Sequence, residues 1–471
     1  MTNGGSTDPS SSSTATTTTT KTTTKPDNRP MPLLPLPPPL LSLTPGTWAH
    51  DTMSRRLNEE IFQRTYEENE RTFKTGPFAS ALRGFDDLRG ELSEASTSRL
   101  RHLRTVFDMG GIDGRAVPNA NREMEEWRAI LAPHVEAGDT WLSAPWLVAE
   151  FYAYRRLMEA IGYYDASNPD TYLWDPFAVA KRAGLMSSVD AAEMMLGRTM
   201  SLPRTAEGTA VAVAFALWGN RMDLSIWPAD ADGDNSRANA FAGVLRSSDD
   251  NLLHDDTDEL ANYCMGLKDR GNGTIDVIVD NAGLELVTDL ALADHLVSSG
   301  VAKVVTFRLK GHPTFVSDAL EKDLRETVEH YGSLSSEIYP HARAAGERWR
   351  RHLDDGSWAC REDDFWAQPS PMWDMPEYLR SDMADRCDLA FVKGDANYRR
   401  LLGDRQWDYS APFKDVVGCY FPCPVCALRT LKAEVGCGMA REQVERAKAL
   451  DDEWMVNGRF GVVQFSRDQT F

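Results

Sequence analysis

Two oxygen-bearing side chains directly follow a short apolar stretch in the second half of the chain. Residues 275–279 are mostly apolar, Asp280 and Asn281 come next, and an apolar-periodic segment begins at Glu285. This order predicts a buried strand, a sharp turn and a helix, which places both side chains where ligands bind in α/β sheets. A carboxylate beside a carboxamide oxygen suits a divalent cation, although an Asp-Asn pair can also simply cap a helix.

A third oxygen donor, Asp318, ends the loop after the next predicted strand, residues 301–309. Because neighbouring parallel strands end at the same edge of a sheet, we expect Asp318 to approach Asp280. The alternative is again a helix cap. Glu285 lies in the first turn of the predicted helix, where it can bind a substrate hydroxyl or only favour the helix dipole.

Lys393 and Asp395 flank Gly394 in a turn after a further predicted strand, residues 389–392. Glycine at this point lets the backbone approach a ligand closely. Lys393 is a candidate to bind a phosphate oxygen, and Asp395 is a candidate for a metal or a sugar hydroxyl. A Lys-Gly-Asp turn is weak support when it stands alone.

Arg429 and Lys432 lie in another predicted strand, residues 428–435. Lys432 and Thr430 share one face of such a strand and would make a cationic, hydroxyl-bearing contact with phosphate, unless the strand is a solvated edge. Asn220 follows an apolar helical pattern and could line the same crevice from the helical side. The alternative without a functional role is that Asn220 only forms a turn after the end of a helix.

The fold class predicted from these patterns is α/β. From about residue 50 to 220 the apolar spacing is helical, whereas from about residue 270 strands alternate with helices over short connections, which predicts a parallel sheet. We expect a three-layer α/β/α domain with a mainly parallel sheet, plus an N-terminal helical region. The predicted segments are a disordered low-complexity and Pro-rich tail (1–45), a mainly helical region (46–225) and an α/β metal-dependent catalytic domain (226–471).

Composition narrows the function further. The 51 Lys and Arg residues against 71 Asp and Glu residues give a net charge of -20, which argues against a nucleic-acid partner. A phosphate site in such a chain needs its own cations. The sequence has no apolar run long enough to predict a membrane span. Seven cysteines, an odd number, indicate reduced thiols and a cytoplasmic location, with the nucleus left open.

Several common catalytic patterns are missing from the sequence: a Ser or Cys triad, a Walker-type loop, and a Gly-x-Gly-x-x-Gly turn after a strand. This favours metal-assisted chemistry. The cysteines around Cys423 and Cys426 do not match a zinc-ribbon spacing, and their apolar surroundings indicate buried structural thiols.

The motifs together resemble one family. Gly-Asn-Arg-Met-Asp at 219–223, Asp-Asn-Ala-Gly-Leu-Glu-Leu at 280–286, Lys-Gly-Asp-Ala-Asn-Tyr-Arg at 393–399 and Arg-Thr-Leu-Lys at 429–432 resemble the damage-control phosphatases, in the subgroup marked by Arg-Thr-x-Lys. Members have also been called protein-glutamate O-methyltransferases. The resemblance implies hydrolysis of small phosphorylated metabolites, usually fructose 1-phosphate or fructose 6-phosphate. It also implies a divalent metal, Mn, Co or Ni, with Mg possible.

The resemblance also implies roles for individual residues. Asp280, Asn281 and Asp318 match metal ligands at the catalytic centre, Glu285 and Asp395 match substrate-contacting acids, and Lys432 matches a lysine on the phosphate side. Two routes stay open: water attacks phosphorus directly, or Asp280 or another carboxylate attacks first and forms an acyl phosphate.

Two other functions remain to be tested. One is methyl transfer from S-adenosylmethionine to protein carboxylates, which tight metal-independent binding of S-adenosylmethionine would favour. The other is a non-enzymatic interaction protein that keeps the fold, for which added manganese would leave the thermal midpoint unchanged. A protein partner of the N-terminal tail is unknown from the sequence.

Overall fold

Seven strands form one sheet in the computed structural model, which describes Met1 and residues 30–114, 119–219 and 250–467. The strands are β1 Leu252–Asp255, β2 Thr274–Ile278, β3 Val304–Lys310, β4 Trp358–Asp363, β5 Leu389–Lys393, β6 Val425–Thr430 and β7 Gly461–Ser466. Their order is β1-β7-β6-β5-β2-β3-β4. All neighbours pair in parallel except β6 and β7, so the sheet is mainly parallel, as predicted.

The chain changes direction across the sheet between β2 and β5. From β2 it proceeds to β3 and β4 on one side, and it then returns to β5 and β6 on the other side. A crevice forms at such a switch point, outside the carboxyl ends of the two central strands. The loops after β2 and β5 are the ones that border this crevice.

Helices cover both faces of the sheet, which gives three layers. One face carries an N-terminal helical region together with three later helices; the α-helices of this layer are Trp48–Asp51, Gln63–Phe73, Ala79–Ser93, Asn119–Ala137, Trp146–Ala160, Glu377–Arg386, Asp395–Leu401 and Arg441–Leu450. The π-helical segment Thr52–Phe62 joins the first two. The other face carries Ala178–Ser187, Val189–Thr199, Ala206–Trp218, Thr257–Arg270, Leu284–Ser298, Glu321–Ser333 and Pro340–Asp355.

Alternation along the central strands produces these two layers. In β5, Ala390 and Val392 enter one hydrophobic core, while Leu389 and Phe391 enter the other. Successive side chains of a strand point to opposite faces, so a strand buried on both faces reads as a continuous apolar run. This is why the central strands were recognisable in the sequence.

Two strands were not predicted, and the bounds of one predicted strand differ clearly from those expected. β1 and β4, the two edge strands, were not predicted, because β1 has only four residues and β4 carries the polar run Arg-Glu-Asp at its end. The strand expected at 428–435 lies instead at Val425–Thr430. After Thr430 the chain turns out of the sheet, and the Lys432 amide donates to the Asp395 side chain (Oδ1, 3.1 Å) instead of to a neighbouring strand.

The Pro-rich segment after residue 30 lies along the body of the protein. The Leu33 amide donates to the Asp415 carbonyl and the Leu40 amide to the Asp404 carbonyl, both at 2.9 Å. The preceding part of the predicted tail, residues 2–29, lies outside the described residues, as does Asn220. Among the helices that are described, none combines the length and apolarity needed to cross a membrane.

Candidate metal and phosphate site

The loops after β2 and β3 are joined by a short antiparallel bridge between Asn281 and Asp318. In this bridge the Ala319 amide donates to the Asp280 carbonyl at 2.8 Å. The Ser317 hydroxyl adds a side-chain bond, donating to Asn281 Oδ1 at 2.6 Å. The bridge therefore brings together the three oxygen donors that the sequence placed on two separate loops.

The carboxamide of Asn281 also links the acids of the β2 loop. Its Nδ2 donates to Asp280 Oδ2 at 2.8 Å and to Glu285 Oε2 at 2.9 Å. Glu285 lies in the first turn of the helix Leu284–Ser298, so the helix start fixes where this carboxylate points. Both acids are buried, with 6% of Asp280 and 7% of Glu285 exposed. Glu285 is thus part of the same hydrogen-bonded cluster.

Gly394 brings the loop after β5 against Asp280. Its φ is 81°, in the left-handed region that favours glycine, and a Cβ at this position would lie 1.8 Å from Asp280 Oδ2. No larger residue fits without displacing the carboxylate. The crevice at the switch point is therefore narrow, with Asp280 against the neighbouring backbone.

The donor set fits a hard divalent cation. Asp280 Oδ1 is buried and has no hydrogen-bond partner among the residues that the structure describes. A buried carboxylate oxygen without a partner is costly, and a cation would satisfy it. The described residues contain no group of three or more His, Cys, Asp and Glu side chains at ligand spacing. The fit thus rests on the carboxylates of Asp280 and Asp318 with the Asn281 carboxamide.

Electrostatics point the same way. Burial raises the pKa of Asp280 well above its usual range, and the nearby carboxylates of Asp318 and Glu285 add to this, while Lys310 and Lys432 oppose it. Burial also raises the pKa of Asp318, against the opposing charge of Lys310. Carboxylates crowded in this way repel one another, and a positive ion between them relieves that repulsion.

Lys310, the last residue of β3, was not identified from the sequence. Its Nζ lies 3.1 Å from Asp318 Oδ2 and donates to Asn397 Oδ1 at 3.1 Å. Asn397 in turn donates to the carbonyls of Val279 and Lys393, at 3.1 and 3.0 Å. This fully buried lysine therefore connects the ends of β2, β3 and β5. Its position at a strand end was the available signal, because a cation that ends an apolar run needs a buried partner.

Lys393 faces a different part of the core from the one expected. Its Nζ lies 2.9 Å from Asp289 Oδ1 and donates to the Ala216 carbonyl. Burial lowers the pKa of Lys393, but the carboxylates of Asp289 and Glu285 outweigh it and raise the pKa overall. Burial raises the pKa of Asp289 to about 7. The Lys393 side chain is 1% exposed, and its ammonium group already has protein partners.

Arg429 and Lys432 are placed differently from each other. Arg429 is 1% exposed, donates through Nε to Asp395 Oδ1 at 2.7 Å, and donates to the carbonyls of Ala433 and Val435. Its guanidinium thereby fixes the orientation of Asp395, whose side chain stays 15% exposed. Lys432 is exposed at the same edge of the sheet, where its ammonium can meet an incoming anion.

The structure thus places most of the predicted residues beyond the carboxyl ends of the sheet strands. Asp280, Asn281, Glu285 and Asp318 form one hydrogen-bonded cluster, and Asp395 with Lys432 lies at the end of the neighbouring strands. Ser317, which orients Asn281, was not singled out beforehand, because a serine in a loop carries no pattern of its own.

Seven cysteines are free, and none of those described forms a disulfide. Cys423 and Cys426 are both buried, as expected for structural thiols. Burial raises the pKa of the Cys426 thiol well above its usual value, so it stays protonated and unreactive.

Comparison with known proteins identifies the family. A model described as the damage-control phosphatase ARMT1-like domain matches residues 47–447. Damage-control phosphatase ARMT1 from Danio rerio is 34% identical over 343 residues, covering 69% of this chain and 74% of that protein. The protein of the same name from Homo sapiens is 31% identical over 358 residues, covering 72% and 78%.

A solved structure of a DUF89 family protein from Pyrococcus horikoshii is also similar, with a TM-score of 0.40 and 16% identity over 75% of this chain and 92% of that one. This likeness is too distant to support a conclusion. The family model covers most of the chain, and the relatives match over two thirds of it. The chain belongs to the ARMT1-like damage-control phosphatase family.

Proposed function

We propose that this protein is a metal-dependent phosphatase that hydrolyses phosphomonoesters of small metabolites, with sugar phosphates such as fructose 1-phosphate or fructose 6-phosphate as substrates. The observation that carries the proposal is the bridge between Asn281 and Asp318, which gathers oxygen donors around the unpartnered Asp280 Oδ1. Phosphatase activity is also what the name of the curated relatives states.

Asp280, Asn281 and Asp318 are the residues that would hold Mn²⁺, Co²⁺ or Ni²⁺, with Mg²⁺ as a further option. When bound there, the ion supplies Lewis-acid polarisation and orientation of a phosphate ester. Lys310 keeps Asp318 in place for this task, since its Nζ lies 3.1 Å from the carboxylate.

The remaining residues act on the substrate. Lys432, exposed at the rim, offsets the negative charge of the transferring phosphoryl group, where positioning and electrostatics provide most of the catalysis. Asp395, whose carboxylate is oriented by Arg429, accepts a hydrogen bond from a sugar hydroxyl. Glu285, at the start of the helix Leu284–Ser298, accepts a hydrogen bond from another sugar hydroxyl. The buried ammonium group of Lys393 adds positive electrostatic potential at the site.

The attacking group is left open between two routes. Either water attacks phosphorus directly, or Asp280 or another carboxylate attacks first and an acyl phosphate is then hydrolysed. A single-turnover reaction in oxygen-18 water tests the first route. Label that is absent from the first-turnover phosphate excludes direct attack by water.

The central test is phosphate release from a panel of sugar phosphates, with and without each metal. We expect metal-dependent release by the wild type, and no turnover by Asp280→Ala or Asp280→Asn, because either change removes a ligand charge. The matched control is Asp269→Asn, an exposed acid on the helix Thr257–Arg270. Equal activity of Asp280→Asn and wild type would contradict the proposal.

Binding measurements separate the rival functions. A ligand at 100 times its Kd stabilises the folded state by about 2.7 kcal/mol, so Mn²⁺ should raise the thermal midpoint of the wild type and leave that of Asp280→Asn almost unchanged. An unchanged wild-type midpoint favours a non-enzymatic protein. Calorimetry that finds tight, metal-independent binding of S-adenosylmethionine favours methyl transfer instead.

A further inference from the structure

The loop that carries Asp318 has a backbone conformation that its residues disfavour. Phe315 has φ 48° and Val316 has φ 67°, two consecutive non-glycine residues in the left-handed region. This conformation is unfavourable for residues with a Cβ, and a β-branched residue such as Val316 adopts it rarely. Such strain persists only where surrounding contacts hold it, so the contacts of this loop matter.

The helical region supplies those contacts. The Phe315 ring lies 4.7 Å from the ring of Phe151 in an edge-to-face arrangement and 4.8 Å from the ring of Tyr154. Both partners belong to the helix Trp146–Ala160 and are buried. Val316 packs against the same hydrophobic core. Aromatic pairs of this kind attract each other beyond the effect of the area they bury, so both contacts favour the strained conformation.

The strained turn aims the next two residues at the β2 loop. Directly after it, the Ser317 carbonyl accepts from the Ala282 amide at 2.6 Å, and the Ser317 hydroxyl donates to Asn281. Asp318 then forms its bridge to Asn281. A turn with ordinary negative φ values would send Ser317 and Asp318 elsewhere. The aromatic contacts of Phe315 therefore support the turn from which Ser317 and Asp318 extend toward Asn281.

We infer that Phe315 is a positioning residue through which the helix Trp146–Ala160 of the helical region sets the geometry of the Asp318 loop. The inference rests on the proposed function. It means that the helical region helps to position residues of the site, in addition to covering one face of the sheet. Phe315 touches neither substrate nor metal in this role. It acts through Ser317 and Asp318.

The test compares two identical substitutions in one aromatic core. Phe315→Leu removes the ring that holds the loop, whereas Phe85→Leu removes a fully buried ring that contacts Phe62 and Phe73. Loss of outer support for a metal ligand typically weakens metal binding by about 10–100-fold. We expect Phe315→Leu to weaken Mn²⁺ binding, measured by calorimetry without substrate, by at least about tenfold. Phe85→Leu should lower the thermal midpoint and leave the Mn²⁺ affinity unchanged.

A second measurement needs neither metal nor turnover. Amide hydrogen exchange of the metal-free protein should become faster at Ala282 and Ala319, the two donors of the loop bridge, in Phe315→Leu and not in Phe85→Leu. Because glycine adopts positive φ freely, Val316→Gly removes part of the strain. The double variant Phe315→Leu with Val316→Gly should therefore recover part of the lost Mn²⁺ affinity.

The outcomes are distinguishable. If the wild type neither binds any of the metals nor releases phosphate, the proposed function fails. If the wild type does both, but Phe315→Leu matches Phe85→Leu in Mn²⁺ affinity and in exchange at Ala282 and Ala319, the positioning role alone is wrong. If Phe315→Leu does not fold, Phe151→Leu tests the same contact from the helix side with the same readouts.

Discussion

At the centre of the site, the backbone of Gly394 lies very close to the side chain of Asp280. The φ of 81° and the absence of a Cβ at Gly394 allow the β5 loop to lie against Asp280. The two effects are separable, since Gly300 has an almost identical φ of 82° and open space around its Cα. A comparison of the two positions therefore isolates steric contact with Asp280 from backbone strain.

We predict that Gly394→Ala abolishes most turnover, because the added Cβ would meet Asp280 Oδ2 at 1.8 Å and displace the carboxylate. Gly300→Ala shares only the backbone penalty of about 1–2 kcal/mol, and it should keep its activity while losing that much stability. Steady-state kinetics and chemical denaturation of both variants check this. Equal kcat values in the two variants would show that the approach to Asp280 is unimportant.

At the scale of elements, an ion-pair cluster holds the helix Glu377–Arg386 against β2 and β3. Asp276 of β2 is fully buried and accepts from Arg308 Nε and Arg386 Nη1, both at 2.8 Å. Asp382 pairs with the same two arginines from the helix side. These contacts fix the two strands whose ends carry the oxygen donors. Their contribution to stability should depend on pH.

Burial would raise the pKa of Asp382, but hydrogen bonds from Arg386 and Arg308 outweigh it and lower the pKa to about 2. A carboxyl with a depressed folded pKa stabilises the fold above its unfolded pKa of about 4 and loses that effect as the pH falls toward 2. Asp382→Asn should cost about 1–2 kcal/mol at pH 7, discounted because the side chain is 28% exposed. The cost should shrink as the pH falls from about 4 toward 2.

Urea denaturation at several pH values measures this difference. The control is Asp385→Asn, an exposed residue of the same helix, which should show little cost at any pH. A cost for Asp382→Asn that does not change with pH would mean that packing, not charge, is responsible.

On the scale of the whole molecule, the helical region and the sheet share one hydrophobic core. Phe62, Trp127 and Phe151 of the helical region belong to the same core as Ala390 and Val425 of the sheet. Helices from residue 178 to 218 instead pack on the opposite face. The domain boundaries predicted at 46–225 and 226–471 stay a prediction, but the first segment contributes to both outer layers.

The Pro-rich segment, residues 30–45, connects the helical region to the part of the chain between β5 and β6. The Leu40 carbonyl accepts from the Trp146 amide at 2.9 Å, at the start of the helix Trp146–Ala160, and the Pro38 carbonyl accepts from the Gln406 amide at 3.0 Å. Leu34 and Leu40 also pack against the shared core. The segment therefore contacts the helix that supports the Asp318 loop.

We predict that removing residues 1–29 leaves the thermal midpoint unchanged, because their Ser/Thr-rich composition provides few apolar side chains. Removing residues 1–45 should lower the midpoint by at least about 1 °C, since a loss of 1 kcal/mol lowers it by about 2–4 °C in domains of 150–250 residues and by less in a larger one. Differential scanning calorimetry of both truncations checks this. Identical midpoints would show that the Pro-rich segment adds no stability.

The central strands, and the position of the candidate site residues directly after them, were predictable from the sequence. Apolar runs such as 275–279 and 389–392 signal strands because burial on both faces leaves no polar alternation. The oxygen donors follow these runs directly, so local order was enough to place them at a strand end. The edge strands β1 and β4 lack such runs and gave no comparable signal.

The sequence by itself determined which residues end the central strands, because that information lies within a few neighbouring positions. Only the tertiary structure decided where their side chains point. Asn281 and Ser317 meet across 36 positions, and Lys310 reaches Asn397 across 87. Lys393 and Arg429 likewise form ion pairs with residues far away in the sequence, Asp289 and Asp395. Burial forces each charge to find the nearest partner in space, and sequence spacing does not reveal that partner.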